Sequence, residues 1–332
     1  MFKKVMAVFL FVFLLAEGLL MAQSDQGKRK IEVVATLFPT YDFAKQIGKD
    51  RINVTLLLPP GVEPHAFEPR PADIVRISKA DVFIYTGKYM EPWVEDMLKG
   101  ISNKNLLVVD ASKGIALMSE EEHDEDVEHG EEKHHDEEET KHEKYHKESH
   151  SHYHDNNDPH IWLDLANDQI IVDTITEAFI KVDQVNKDFY LKNTNEYKNK
   201  LSDLDKRFKE TFVTAKHKTI IYGGHFAFGY FTKRYGLEHI SPYAGFSPNA
   251  EPTPKAITEL IEKLKASGTK YVYYEELLDP KVARVIASET GARLELLHGA
   301  HNVSKEELER GVTFIIIMES NLRKLKIGLE CK

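Results

Sequence analysis

The sequence predicts an α/β protein of two lobes, each a parallel sheet with helices on both faces, joined by one long rigid helix. Three observations lead there: short apolar runs alternate with helical stretches, a block of about 57 residues recurs, and a single helical stripe separates the two copies. At 332 residues the chain is long for one core, and a prior of roughly 150 residues per domain suggests about two domains.

The chain opens with Lys3 and Lys4, an apolar run from Val5 to Leu15, and Ala22 as the expected cut point, so residues 1–22 read as a secretory signal. Leu20-Met21-Ala22 fits the small-x-small rule imperfectly, which leaves the cut site open. No cysteine follows the run, so the expectation is a soluble periplasmic protein without a lipid anchor. The only cysteine, Cys331, can form neither an intrachain disulfide nor a thiolate metal cluster. Any transition-metal site must therefore use His, Asp and Glu.

The N-terminal lobe is expected over residues 30–186. Apolar runs at 32–38, 54–58 and 81–85 alternate with helical stretches, as do 219–222, 270–274 and 293–297 in a C-terminal lobe over 213–332. Short buried strands alternating with helices imply parallel sheets covered on both faces. Between the lobes, Tyr190, Tyr197, Leu201, Leu204, Phe208 and Phe212 fall on one face of a helix over 187–212. At 1.5 Å per residue that helix would be about 39 Å long, enough to span a lobe and join the two rigidly.

The repeat is read from three matches in one order. FPTYDFAKQIGKDRINV from Phe38 pairs with FAFGYFTKRYGLEHISP from Phe226. PHAFEPRPADI pairs with PNAEPTPKAI, sharing Glu-Pro-x-Pro, and ADVFIYTGKYMEPWV pairs with TKYVYYEELLDPKV, where a β-rich run leads to a proline that opens a helix. Two lobes built from one βαβα unit follow.

One segment breaks the pattern. Residues 119–157 are almost free of apolar side chains and carry nine of the 16 histidines, and residues 120–158 hold 17 acidic and 4 basic side chains. Such a segment cannot bury enough surface to fold and reads as a disordered surface insertion within the N-terminal lobe. It also accounts for the formal charge of −10, leaving +3 for the rest, so nothing points to nucleic acid as a partner.

In open parallel sheets ligands collect beyond the carboxyl ends of the strands. His65, His160, His225 and His301 each fit that description, two from each lobe, which places a metal site in the interlobe cleft. Three or four imidazoles favour Zn²⁺, and Mn²⁺ would be expected to draw more carboxylates; copper and nickel accept imidazoles too. Taken singly, a histidine in a crevice is more often a hydrogen-bonded structural residue.

The neighbouring residues change that weighing. GVEPHAFEPRPAD, DPHIWLD, GGHFAFGYFTKRYGL and EPTPKAI together resemble the motifs of zinc-binding substrate-binding proteins of ABC transporters, the ZnuA-like (cluster A-I, cluster 9) family. The likeness runs from about Ile31 to the C-terminus and includes the place of the acidic His-rich insertion. It implies the rigid-helix class of periplasmic binding proteins, with His65, His160 and His225 at the three histidine-ligand positions. The fourth departs from the family pattern, which usually offers Asp or Glu: here LLHGAHNVSKEEL makes His301 the best fit, with His298, Glu276 or a water as alternatives. Leu165 stands where many relatives have proline.

Other residues receive plainer readings. Glu63 has a loop or imidazole-orienting role; Glu68 and Glu251 are structural; Glu275 or Glu276 is an alternative oxygen ligand; Trp93 and Trp162 are packing residues. The insertion's histidines are read as a weak accessory that concentrates or senses zinc.

The resemblance thus implies a monomeric periplasmic receptor that captures Zn²⁺ as cargo and passes it to a membrane permease driven by a cytoplasmic ATPase, with a modest tilt on binding. Capture should weaken below about pH 6 as imidazoles protonate near their reference value of ~6.5. Alternatives are a receptor for Mn, Cu or Ni, or a zinc buffer or adhesin outside transport. With neither an HExxH helix nor a Ser-His-Asp pattern, an enzyme is not expected.

Overall fold

A computed structural model describes residues 29–119, 157–243 and 252–332. The expected signal segment, all but the two ends of the 119–157 insertion, and Glu251 lie outside the described residues.

In the first lobe β1 (Ile31–Ala35), α1 (Phe38–Gly48), β2 (Ile52–Leu56), α2 (Pro71–Ser78), β3 (Val82–Tyr85), α3 (Trp93–Lys99) and β4 (Leu107–Asp110) follow one another. Every pairing is parallel, in the order β2-β1-β3-β4. Alternate residues of the central strands serve two different cores: Val33, Ala35, Val82 and Ile84 face one, Val34 and Phe83 the other. That double covering is why these strands read as unbroken apolar runs.

Helices α4 (Leu165–Val182) and α5 (Lys187–Val213) lead to the second lobe. There β5 (Thr219–Ile221), α6 (Gly229–Tyr235), β6 (Glu238–Ile240), α7 (Pro254–Ser267), β7 (Tyr271–Tyr274), α8 (Lys281–Thr290) and β8 (Arg293–Leu296) repeat the sequence of elements, followed by α9 (Lys305–Glu309) and α10 (Phe314–Gly328). β5 pairs with β6 and β7 with β8, both parallel, and a parallel bridge between Tyr222 and Tyr273 ties the two pairs into the order β6-β5-β7-β8. The strand order is that of the first lobe. Pro71 and Pro254 each open their helix, and Pro92 and Pro280 each precede one, so the duplication legible in the sequence is a duplication of topology.

Several boundaries differ from the sequence reading. The first strand stops at Ala35, because Pro39 in the first turn of α1 is preset for a helix. The strands β4 and β6 had not been expected. β6 is three residues long with one apolar end, and an edge strand of this kind carries no apolar run to announce it.

All six stripe residues of α5 are buried. Phe208 and Phe212 pack against Phe231 and Tyr235 of α6, with ring centroids 4.7–5.9 Å apart across the group. The long helix is not the sole connection. Helix α10 returns to the first lobe, where Phe314 sets its ring edge-on to Phe43 at 5.1 Å and its N–H donates to Asp42 Oδ2 at 2.9 Å. One apolar core therefore includes residues of both lobes. Each fully buried Phe contributes roughly 1.5–3 kcal/mol, so wide separation of the lobes would expose a costly seam. Among the described residues no helix is long and apolar enough to cross a membrane.

Candidate metal centre

His65 lies in the proline-rich loop after β2, where the Glu63 carboxylate accepts the N–H groups of His65 at 2.9 Å and Ala66 at 3.0 Å. His160 follows the base of the insertion, which is closed by an antiparallel bridge between Ser119 and Asn157. Tyr230 of α6 braces this base: its hydroxyl donates to Asp158 O and accepts from Met118 N, both at 3.0 Å. His225 follows β5 and two glycines. A Cβ on Gly223 would stand 2.7 Å from Ala283 Cα, so that glycine is required by close approach, and one on Gly224 would stand 2.6 Å from Glu275 Oε1 and push that carboxylate aside. His301 lies in the loop after β8.

The structure brings these four together. One ring nitrogen from each lies within 4.8 Å of the other three, and the six ring-centroid separations span 4.9–5.9 Å. His160, His225 and His301 are buried, whereas His65 is partly exposed. Nε2 of His65 and Nε2 of His160 stand 3.2 Å apart. Ligand nitrogens on a tetrahedral zinc with bonds of 2.0–2.1 Å would be roughly 3.3 Å apart, a spacing that the His65–His160 pair already has and that the other pairs, all within 4.8 Å, reach by contraction.

Carboxylates stand behind three of the rings. Asp158 Oδ1 contacts His160 Nδ1 at 2.7 Å, Glu276 Oε1 contacts His301 Nδ1 at 2.9 Å, and Glu275 Oε2 abuts His225 Nδ1. An ionised carboxylate only accepts, so Nδ1 of His160 and Nδ1 of His301 carry the proton and their Nε2 atoms keep a lone pair, whereas Glu275 approaches His225 Nδ1 without hydrogen-bond geometry. Nε2 of His225 and Nε2 of His301 are buried without a hydrogen-bond partner among the described residues. Such orphaned nitrogens cost free energy unless something electrophilic lies between them.

Protonation is spread, contrary to the expectation of a common value near 6.5. Burial pulls His160 down to about 4 in spite of Asp158, and burial with three neighbouring imidazoles holds His65 far below its ordinary value. For His301 burial also acts downward, but the Glu276 hydrogen bond and charge, helped by Glu275 and Glu63, raise it. Glu276 itself is held low, because the charges and N–H groups of His298, His301 and Gly299 overcome its burial.

His298 is not part of the cluster; its Nδ1 accepts from Ala300 N at 2.9 Å and its Nε2 lies 3.9 Å from Glu307. Glu275 and Glu276, read from sequence as alternative oxygen ligands, stand instead on the outer Nδ1 side of His225 and His301. Glu63 has the loop role expected of it, and Glu68 is exposed. Trp93 packs on Phe67. Trp162 does more than pack: its Nε1 donates to Gly299 O at 2.8 Å, and its ring meets those of His160 and His301 at 5.5 and 5.3 Å. The orienting carboxylates were visible only as Asp two residues before His160 and as a Glu pair ending β7. A cavity of about 330 Å³ lined by Gly223, Gly224, Tyr274, Glu275 and Asp279 lies beside the site and is lined by none of the four imidazoles.

Residues 33–328 match the family model described as ZnuA, the periplasmic component A of a zinc-uptake complex. The chain is 42% identical over 340 aligned residues to the high-affinity zinc uptake system protein ZnuA of Bacillus subtilis (strain 168), covering 100% of each. Its structure is similar to that of the metal-dependent lipoprotein YcdH of Bacillus subtilis, with a TM-score of 0.72 at 39% identity over 90% of this chain and 100% of that one. It is also similar to the Zn(II)-bound ZnuA-like domain of Streptococcus pneumoniae AdcA, with a TM-score of 0.72 at 29% identity over 91% of this chain and 99% of that domain.

Proposed function

This chain belongs to the ZnuA family of zinc-uptake components, and from that premise we propose that the four-histidine knot is where it captures its ion. The protein is the zinc-binding component of a zinc-uptake system, and its family is one of transport proteins rather than enzymes. Zinc is cargo. We assign His65, His160, His225 and His301 as its ligands, with Nε2 of each directed to the ion.

The observation that carries this reading is the set of nitrogens within 4.8 Å of one another, two of them orphaned inside the protein. The chemistry agrees with it. Four neutral imidazoles suit a borderline cation better than manganese, which favours oxygen. Asp158, Glu275 and Glu276 offset the double positive charge from behind the rings and fix the tautomer that binds. Because the rings are already oriented, little ordering remains to be done on binding, which favours tight capture. The shared core of the lobes limits the accompanying movement to loops and a small tilt.

In this reading the protein works as a monomer outside the cytoplasmic membrane and delivers zinc to an ABC permease with its ATPase. The insertion acts as an accessory that raises local zinc concentration. Titration of a variant lacking residues 119–157 against a competing chelator tests the order of importance. One tight equivalent that is lost on His160→Ala is the expected result. Loss of tight binding with the insertion, and its survival in His160→Ala, would make the histidine run the receptor.

A further inference from the structure

We propose that Asn302 is a positioning residue for zinc capture: from the second lobe it fastens the loop that carries His65, so that His65 and His301 reach the ion as one unit. The inference rests on the reading of both histidines as zinc ligands.

His65 is the odd member of the four. A carboxylate stands against Nδ1 of each of the other three, whereas among the described residues none stands against Nδ1 of His65. It is also the one that is partly exposed. Its loop is neither helix nor strand, and Pro59, Pro60 and Pro64 supply no N–H with which to tie it down. The orientation of His65 must therefore come from whatever holds the loop.

Asn302 holds it. The side chain is fully buried, and its Nδ2 donates to Pro59 O at 2.7 Å and to Val62 O at 2.9 Å. Its Oδ1 accepts from Val303 N at 2.9 Å, and Gly61 N donates to Val303 O at 2.9 Å. Gly61 has φ +82°, a turn conformation that presents its N–H to the second lobe at no steric cost. Both amide hydrogens of Asn302 are used, on two carbonyls of one turn. Aspartate would set an acceptor against acceptors, and an apolar residue would take the Asn302 donor from Val62 O and leave Pro59 O with only the Val62 N–H at 3.1 Å. Since Asn302 directly follows His301, the first and last histidines are joined through one residue. Without that tie the His65 imidazole would spend much of its time away from the ion, and the loss would appear as faster release.

The test is a double-mutant cycle on the full chain loaded with one equivalent of zinc, following the slowest phase of release into excess chelator. Asn302→Ala should accelerate release about tenfold or more, since both side-chain bonds that fasten the turn to the second lobe are lost. His65→Ala should accelerate it at least as much. The double variant should lie within about twofold of His65→Ala, because Asn302 acts through that histidine. A merely structural role predicts something else: equal acceleration by Asn302→Ala in both backgrounds, or none in either, would overturn the inference and leave the ligand assignment standing. Unchanged release in His65→Ala would overturn the ligand assignment and the inference with it. Should Asn302→Ala not fold, Asn302→Ser, which keeps one donor, enters the same cycle with the same outcomes.

Discussion

Glutamine at Glu276 separates the two things a buried carboxylate does for this site, orienting an imidazole and setting its proton affinity. The side chain is 6% exposed and accepts from Gly299 N at 2.7 Å, His301 N at 3.2 Å and His301 Nδ1 at 2.9 Å. Glutamine offers one oxygen and one NH₂, so at least one of these donors would face another donor. With the charge removed as well, the zinc-free protein should lose about 3 kcal/mol of stability. Zinc affinity at about pH 8 should fall roughly 10–100-fold, the usual effect of losing an orienting partner. The pH profile should move the other way. Glu276 holds His301 above its ordinary value against the pull of burial, so in the native protein zinc must expel a proton from His301 below that value, and apparent affinity drops about tenfold per pH unit. Without the anion burial prevails, His301 becomes a weaker base, and the decline begins at lower pH. Chelator competition between about pH 5.5 and 8.5 measures both effects. A Glu276→Gln profile parallel to the native one, merely displaced downward, would refute the assignment of His301 as the group that competes with protons for zinc.

Three further outcomes follow from the same geometry. For the zinc-free protein, His160 is neutral down to about 4 when folded but ordinary when unfolded, so the unfolded chain binds more protons between about pH 6.5 and 4 and stability must fall as pH falls through that window. The loss from His160 alone should be about 3 kcal/mol, with His65 adding in the same direction and the raised His301 opposing, and a urea midpoint whose change between pH 7 and 4.5 is the same in His160→Gln as in the native chain would contradict it. Trp162, with its ring 5.3–5.5 Å from two proposed ligands, should dominate any fluorescence change on zinc binding; the change should vanish in Trp162→Phe and persist in Trp93→Phe. Phe208→Ala, which opens a cavity where α5 meets α6, should cost about 3–5 kcal/mol in chemical denaturation, and a loss below about 1 kcal/mol would show that the aromatic cluster does not hold the second lobe to the helix.

How much of this was legible beforehand varies with the range of the interaction. Strand runs such as Val33 to Ala35 and Val82 to Tyr85 declare themselves because both faces are buried, and the stripe from Tyr190 to Phe212 because a helix repeats locally. The edge strand Glu238–Ile240 was silent, since one covered face requires only one or two apolar residues. The four histidines could be proposed from their positions after strands and from the resemblance of their motifs. Their partners were harder: Asp158 is a sequence neighbour of His160, but Glu275 lies 50 residues from His225, and Glu276 lies 25 from His301.

The amino-acid sequence by itself determined the repeated βαβα unit, the single long helix, and the residue types on which a metal site could draw. These follow from periodicity and side-chain chemistry, which act over one or two turns and need no knowledge of what meets what. Only the tertiary structure decided which nitrogens converge, that Glu275 and Glu276 stand outside the ring of imidazoles, that Trp162 and Asn302 tie the two lobes together behind it, and that α10 closes a common core. Those outcomes depend on distances between segments up to 272 residues apart, as Asp42 is from Phe314, on burial that lowers the proton affinity of His160, and on the Glu276 carboxylate that raises that of His301 against burial. A pattern along the chain fixes which face of an element is apolar; the free energy of packing several such faces at once decides where each polar atom ends.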